Sequence, residues 1–73
     1  MNYIIRKYDN GSDERDEIEV FEGSVWILAV VGFGNGCDII RLTAGDIWRE
    51  GSDELMGVYA TREEAEAALN RIV

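Results

Sequence analysis

The pattern of apolar and polar positions predicts short β-strands in the first half of the chain. Residues 3–8 are rich in β-branched and aromatic side chains and end at a cluster of turn-forming residues, so they predict a first strand. In residues 17–20 polar and apolar side chains alternate, which places Ile18 and Val20 on the core face and Glu17 and Glu19 on the solvent face of a second strand. Residues 25–31 are apolar on both faces, and this pattern is typical of a central strand.

Two hairpins follow in the predicted order. A glycine-rich loop separates the central strand from residues 38–42, and Asn35-Gly36 is the predicted two-residue turn. Residues 46–50 and 55–60 flank a short polar segment and predict a second hairpin. The sequence therefore predicts an antiparallel sheet of about five strands.

A C-terminal helix is predicted from Thr61 to about Val73. Thr61-Arg62-Glu63-Glu64 has the spacing of a capping box, in which the threonine hydroxyl and the second glutamate satisfy free amides of the first turn. An apolar stripe follows at helical spacing, at Ala65, Ala68, Leu69 and Ile72. The predicted fold class is α+β, with residues 1–73 forming a single domain whose helix packs on one face of the sheet.

One helix of this length covers only one face of such a sheet. The central strand is apolar on both faces, so its second face must also be buried. Either the sheet curls on itself into a small barrel, or a partner or a second copy of the chain covers that face. The interface candidates are the apolar residues Trp26, Leu28 and Trp48. The two tryptophans are favoured because tryptophan is common at binding hot spots.

Charge adds a candidate function. The 73-residue chain carries 15 Asp+Glu against 7 Lys+Arg, a net charge of -8, and the acids concentrate in residues 9–22 and 46–66. Carboxylates two apart on one strand face, as in Glu17 and Glu19, have a spacing comparable to that of nucleic-acid phosphates. The partner-binding candidates are the acidic residues Asp13, Asp16, Glu17, Glu19, Glu22, Asp53 and Glu54.

The charge suggests a non-enzymatic protein that docks an acidic surface onto a basic, nucleic-acid-binding protein. The same charge disfavours direct binding of DNA or RNA. Two alternatives stay open: the acids serve only solubility, or the chain is a homodimeric accessory or structural domain that uses its apolar sheet face. Salt sensitivity distinguishes them, since only a charge-led interface weakens strongly with added salt.

The residues offer little for catalysis or for cofactors. With no His and only one Cys, the chain lacks a nucleophile–base pair and the usual zinc ligands, so we expect no enzyme activity, no metal site and no cofactor.

Cys37 is expected to be an inert strand-edge thiol, with an intermolecular disulfide as the alternative. The glycine-rich loop at residues 32–36 does not match the dinucleotide-binding fingerprint, and Phe33 is then a solvent-side or interface aromatic.

The ending Gly57-Val58-Tyr59-Ala60-Thr61-Arg62-Glu63-Glu64-Ala65-Glu66-Ala67-Ala68-Leu69, together with the small size and the acidity, resembles small acidic proteins of phages and mobile elements. Anti-CRISPR inhibitors are among them. The resemblance implies stoichiometric inhibition of a host defence complex, either by occupation of its nucleic-acid surface or by distortion of its assembly. The start of the chain shows no apolar segment of a signal peptide or membrane span, so a cytoplasmic location is expected.

Overall fold

Antiparallel strands and a C-terminal helix make up the described part of the chain. The computed structural model describes residues 2–11 and 13–72, the side chains of Asn10 and Asp13 excepted. The elements are, in chain order, β1 (Tyr3–Asn10), β2 (Asp13–Val20), β3 (Ser24–Val30), β4 (Cys37–Thr43), β5 (Ile47–Arg49), β6 (Glu54–Tyr59) and α1 (Arg62–Ile72). The predicted α+β class is confirmed at this level.

The strands form two three-stranded sheets rather than one sheet of about five strands. The first sheet has the order β1-β2-β5 and the second the order β4-β3-β6. The chain passes from one sheet to the other three times: at two adjacent corners, residues 21–23 and residues 44–46, and again through residues 50–53. Val20 joins these corners, because its N–H donates to the Asp46 carbonyl at 3.1 Å and its carbonyl accepts the Gly45 N–H at 2.9 Å. Two long, bent strands therefore fold one sheet over the other.

The hydrophobic core lies between the two sheets. Ile18 and Val20 of β2 pack with Val25 and Ile27 of β3, and all four side chains are almost completely buried. Burying a side chain of this size contributes about 1.5–3 kcal/mol relative to leaving it exposed. The core is completed by buried Leu42 and by the partly buried residues Tyr3, Ile40, Trp48, Leu55 and Val58. The predicted core face of β2 is thus confirmed.

The helix packs on β3, β4 and β6. Its predicted cap forms: the Thr61 hydroxyl accepts the Glu64 N–H at 3.2 Å, and the Glu64 carboxylate accepts the Ala60 N–H at 3.3 Å. Ala65 is completely buried, and its small side chain lets the helix approach the sheet closely. In residues 2–11 and 13–72 no helix is both long and apolar enough to cross a membrane.

Both faces of β3 are covered within the chain. Ile27 faces the first sheet, so strand alternation turns Leu28 toward the helix, where it is completely buried. The strands do not form the small barrel that was one of the expected arrangements: they make two three-stranded sheets, and the first sheet covers the face of β3 that the helix leaves free. Leu28 is inaccessible to a partner in this fold, so its interpretation as an interface residue is wrong.

Two local predictions are also wrong. β5 and β6 do not form a hairpin, because β5 continues the bend of β4 and pairs with β2, whereas β6 pairs with β3. The loop between β3 and β4 is not a two-residue Asn35-Gly36 turn. It is closed by the Val31 N–H, which donates to the Gly36 carbonyl at 2.8 Å, and its positive φ angles lie at Gly32, Phe33, Gly34 and Gly36.

Candidate functional site

Two of the predicted binding carboxylates already have partners within the chain. Glu17 lies on the outer face of the first sheet, directly between Arg6 of β1 and Arg49 of β5 in the strand register. The Arg49 Nε donates to Glu17 Oε2 at 2.5 Å, and an Arg6 nitrogen lies 3.6 Å from Glu17 Oε1. Arg6 also pairs with Glu19 at 3.5 Å. This face therefore carries balanced charges.

The network covers Glu17 and fixes its protonation state. Only 8% of the residue is exposed, although it lies on the outer face of its sheet. The hydrogen bond from Arg49 lowers the pKa of the Glu17 carboxyl, and the charge of Arg6 and the Tyr8 hydroxyl act in the same direction, while desolvation opposes them. The same hydrogen bond raises the pKa of Arg49. The prediction that Glu17 presents a free carboxylate to solvent is wrong, because cross-strand arginines enclose it.

The other predicted carboxylates are spread over the molecule. Glu22 is exposed at the corner between β2 and β3, and Asp16 is half-buried near the start of β2. Asp53 and Glu54 lie where the chain enters β6. The side chain of Asp13 lies outside the described part of the structure. Among those whose side chains are described, Asp53 and Glu54 border the main cleft, and Asp16 and Glu22 do not.

That cleft lies at the end of the molecule opposite the two corners and has a volume of about 760 Å³. Three segments form it: the start of β2, the β3–β4 loop and the segment that joins β5 to β6. Its lining residues are Glu14, Arg15, Val30, Phe33, Gly34, Glu50, Gly51, Ser52, Asp53 and Glu54. Four carboxylates and one guanidinium give the lining a formal net charge of -3. We call this set of residues the acidic cleft.

Glu50 ties the two sheets together beside the acidic cleft. Its Oε1 accepts the Asp16 N–H of β2 at 2.7 Å, and its Oε2 accepts the Leu55 N–H of β6 at 2.7 Å. One carboxylate thus satisfies an amide from each sheet. Hydrogen bonds from backbone N–H groups to an ionised carboxylate are stronger than neutral ones. Glu50 is therefore a structural residue in the lining of the cleft.

The β3–β4 loop is hydrogen-bonded to the segment that joins β5 to β6. Asp53 Oδ1 accepts the Gly32 N–H at 3.1 Å, and the Ser52 carbonyl accepts the Phe33 N–H at 3.1 Å. These bonds order the loop around Phe33, whose backbone adopts the left-handed conformation with φ of 57°. The Phe33 side chain is 93% exposed. A bulky residue in this conformation is an outlier, and its ring projects into solvent at the rim of the acidic cleft.

The predicted tryptophans make intramolecular contacts. Trp26 is half-buried, and the guanidinium carbons of Arg41 and Arg62 lie 5.5 Å and 5.7 Å from its ring centroid. Trp48 packs against the core between the sheets. Both rings therefore have structural roles in the monomer, and their use in an interface stays a prediction.

Sequence reasoning did not identify Glu14 and Glu50 as members of one site. Glu14 comes from the first acidic segment and Glu50 from the second, and only the folding of one sheet over the other brings the two segments to one cleft. Phe33 carried a local signal, since it lies between two glycines. An apolar residue in such a loop cannot reach the core, and it is exposed as expected.

The described residues contain no group of three His, Cys, Asp or Glu side chains placed to hold a metal ion. Cys37 is half-buried at the start of β4 and is not part of a disulfide. Comparison of the chain with family models, with curated proteins and with solved structures finds no match.

Proposed function

We propose that the protein is a non-enzymatic inhibitor that binds a basic, nucleic-acid-binding protein through the acidic cleft. The observation that carries this proposal is the convergence of Glu14, Asp53 and Glu54 at one end of the molecule, with a net charge of -3 around the cleft. Basic groups selected for phosphate also accept carboxylates in the same hydrogen-bonding geometry. By occupying the surface that receives nucleic acid, the protein blocks the partner's normal ligand.

The site proposed is narrower than the one expected from sequence. Glu17 and Glu19 pair with Arg6 and Arg49, so they add little attraction for a basic partner. Glu14 pairs with Lys7 at 3.3 Å, but both side chains are more than half exposed, and such surface pairs exchange readily for other partners. The homodimer alternative depended on an uncovered apolar sheet face, and both faces of β3 are covered.

A charge-reversal pair tests the acidic cleft. Glu14→Lys with Glu54→Lys changes the net charge by +4 at two exposed positions, and we expect folding to stay within about 0.5 kcal/mol of the parent. The matched control, Glu63→Lys with Glu66→Lys, makes the same change of charge on the exposed face of α1. The tagged parent and both variants are used to capture partners from a cell lysate at low and high salt, with and without added duplex DNA.

We expect the parent and the helix control to retain a nucleic-acid-binding protein at low salt. Added DNA and high salt should both release that protein, because a charge-led interface is screened and the DNA competes for the same basic surface. The cleft variant should retain none. Equal retention by the cleft variant and the helix control would contradict this proposal, as would retention that DNA does not affect.

A further inference from the structure

The acidic cleft is not lined by carboxylates alone. Phe33 stands at its rim with 93% of its surface exposed, and Val30 supplies a second apolar contact in the lining. Exposed phenylalanine has no solubility role, and this ring packs on no core residue. Its loop is nevertheless fixed by backbone hydrogen bonds to Ser52 and Asp53. The Phe33 ring, carried on this fixed loop, therefore lines the same cleft as the carboxylates of Asp53 and Glu54.

This combination fits one kind of side chain. We propose that the acidic cleft receives an arginine of the partner, whose guanidinium stacks on the Phe33 ring while carboxylates of the cleft accept its N–H groups. A guanidinium is planar, weakly hydrated and able to donate to a carboxylate in a forked geometry while its face lies on an aromatic ring. An ammonium group is compact and strongly hydrated, so lysine gains less from the same ring.

This inference rests on the proposed function and adds that the cleft binds an arginine of the partner in preference to a lysine. The charge of the cleft attracts both side chains equally, so the preference has to come from the ring. The ratio of two affinities thus isolates the contribution of the ring from that of the carboxylates. An exposed cation–π contact corresponds to roughly a fivefold preference at most in affinity.

The test uses two peptides of equal length and charge, nona-arginine and nona-lysine, and measures their dissociation constants for the full chain by isothermal titration calorimetry. We expect nona-arginine to bind about two- to fivefold more tightly than nona-lysine. In Phe33→Leu, which keeps an apolar side chain without a π face, the ratio should fall to about one. In Phe33→Trp, whose ring binds cations best, the ratio should equal or exceed that of the parent.

Amide spectra place the binding site. In ¹⁵N-labelled protein the N–H signals of Gly34 and Gly51, which line the cleft from two different segments, should shift on addition of nona-arginine. The amide of Gly23, at the corner outside the cleft lining, should not. The shifts also show that Phe33→Leu retains the fold, since signals away from the cleft should stay in place.

The outcomes separate this inference from the function on which it rests. Equal affinity of the parent for both peptides, or an unchanged ratio in Phe33→Leu, would overturn the arginine preference. If, in that case, both peptides still bind the parent in a salt-sensitive way and fail to bind the variant Glu14→Lys with Glu54→Lys, the proposed function stands without the arginine preference. Failure of both peptides to bind would overturn the two together.

Discussion

Glu50 and Asp16 are joined by two hydrogen bonds that run in opposite directions. The Asp16 N–H donates to the Glu50 carboxylate at 2.7 Å, and the Glu50 N–H donates to the Asp16 carbonyl at 3.0 Å. The second carboxylate oxygen accepts the Leu55 N–H from the other sheet. The ends of the two sheets that lie far from the corners are thus held together by one side chain.

The first prediction concerns this tie. Glu50→Gln removes one acceptor, since an amide nitrogen cannot accept, and leaves a part-buried N–H of Asp16 or Leu55 without its partner. We expect the free energy of unfolding, measured by urea denaturation, to fall by about 1–3 kcal/mol. The control Glu54→Gln replaces an exposed carboxylate near Glu50 in the sequence. It should change the free energy of unfolding by less than about 0.5 kcal/mol. Equal effects of the two substitutions would show that Glu50 does not tie the sheets.

Acidification should expose the role of Glu17. Its folded-state pKa is lowered, chiefly by the hydrogen bond from Arg49, below the ordinary value of 4.5. The ionised form therefore stabilises the fold above that pH, and this contribution is lost as the pH falls through the lowered value. We expect Glu17→Gln to lower the urea midpoint at neutral pH, and the difference from the parent to shrink as the pH falls below 4.5.

The control for this pH series is Glu22→Gln, an exposed carboxylate at the corner between the sheets. Its urea midpoint should follow that of the parent across the whole range. A difference between Glu17→Gln and the parent that stays constant with pH would mean that packing, and not ionisation of Glu17, stabilises this face.

The sequence predicted what depends on local pattern. Alternation placed Ile18 in the core, the two apolar faces of β3 required two coverings, and the capping residues Thr61 and Glu64 started the helix. Each of these signals lies within a few neighbouring residues. For the second face of β3 the pattern offered a small barrel or a covering partner, and it did not predict that a separate sheet of the same chain would cover that face.

The candidate site depends on contacts between distant residues, and so it escaped prediction. Glu14 and Glu54 are 40 positions apart and border one cleft only because the bent strands return to the same end. Glu17 lost its expected exposure because the strand register sets Arg6 and Arg49 beside it. Register is a property of the assembled sheet, since a shift of one residue would turn these arginines to the other face.

The left-handed backbone conformation of Phe33 should lower the free energy of unfolding. A left-handed backbone conformation costs a non-glycine residue roughly 1–2 kcal/mol, and glycine avoids this cost while losing about 0.5–1 kcal/mol in chain entropy. The ring is almost fully exposed, so its removal loses no packing. We expect Phe33→Gly to raise the free energy of unfolding by up to about 1 kcal/mol, which corresponds to an increase in Tm of roughly 4–8 °C.

Phe33→Ala separates strain from the loss of the ring. Alanine keeps a Cβ and therefore the strain at φ of 57°, so its Tm should stay close to that of the parent. An increase with alanine equal to that with glycine would mean that the exposed ring, and not the backbone conformation, lowers stability.

Gly57 of β6 leaves room for an aromatic ring on the helix side of the second sheet. It pairs with Leu28 in the register, and a Cβ added there would lie 2.5 Å from the Tyr59 hydroxyl oxygen and 2.9 Å from the ring carbon that bears it. Gly57→Ala therefore forces the half-buried Tyr59 ring out of its position. We expect a loss of about 1–3 kcal/mol in the free energy of unfolding, as for other overpacked sites. In a Tyr59→Leu background, which removes the clashing ring atoms, the same substitution should cost less than half as much, so a cost independent of residue 59 would contradict this packing argument.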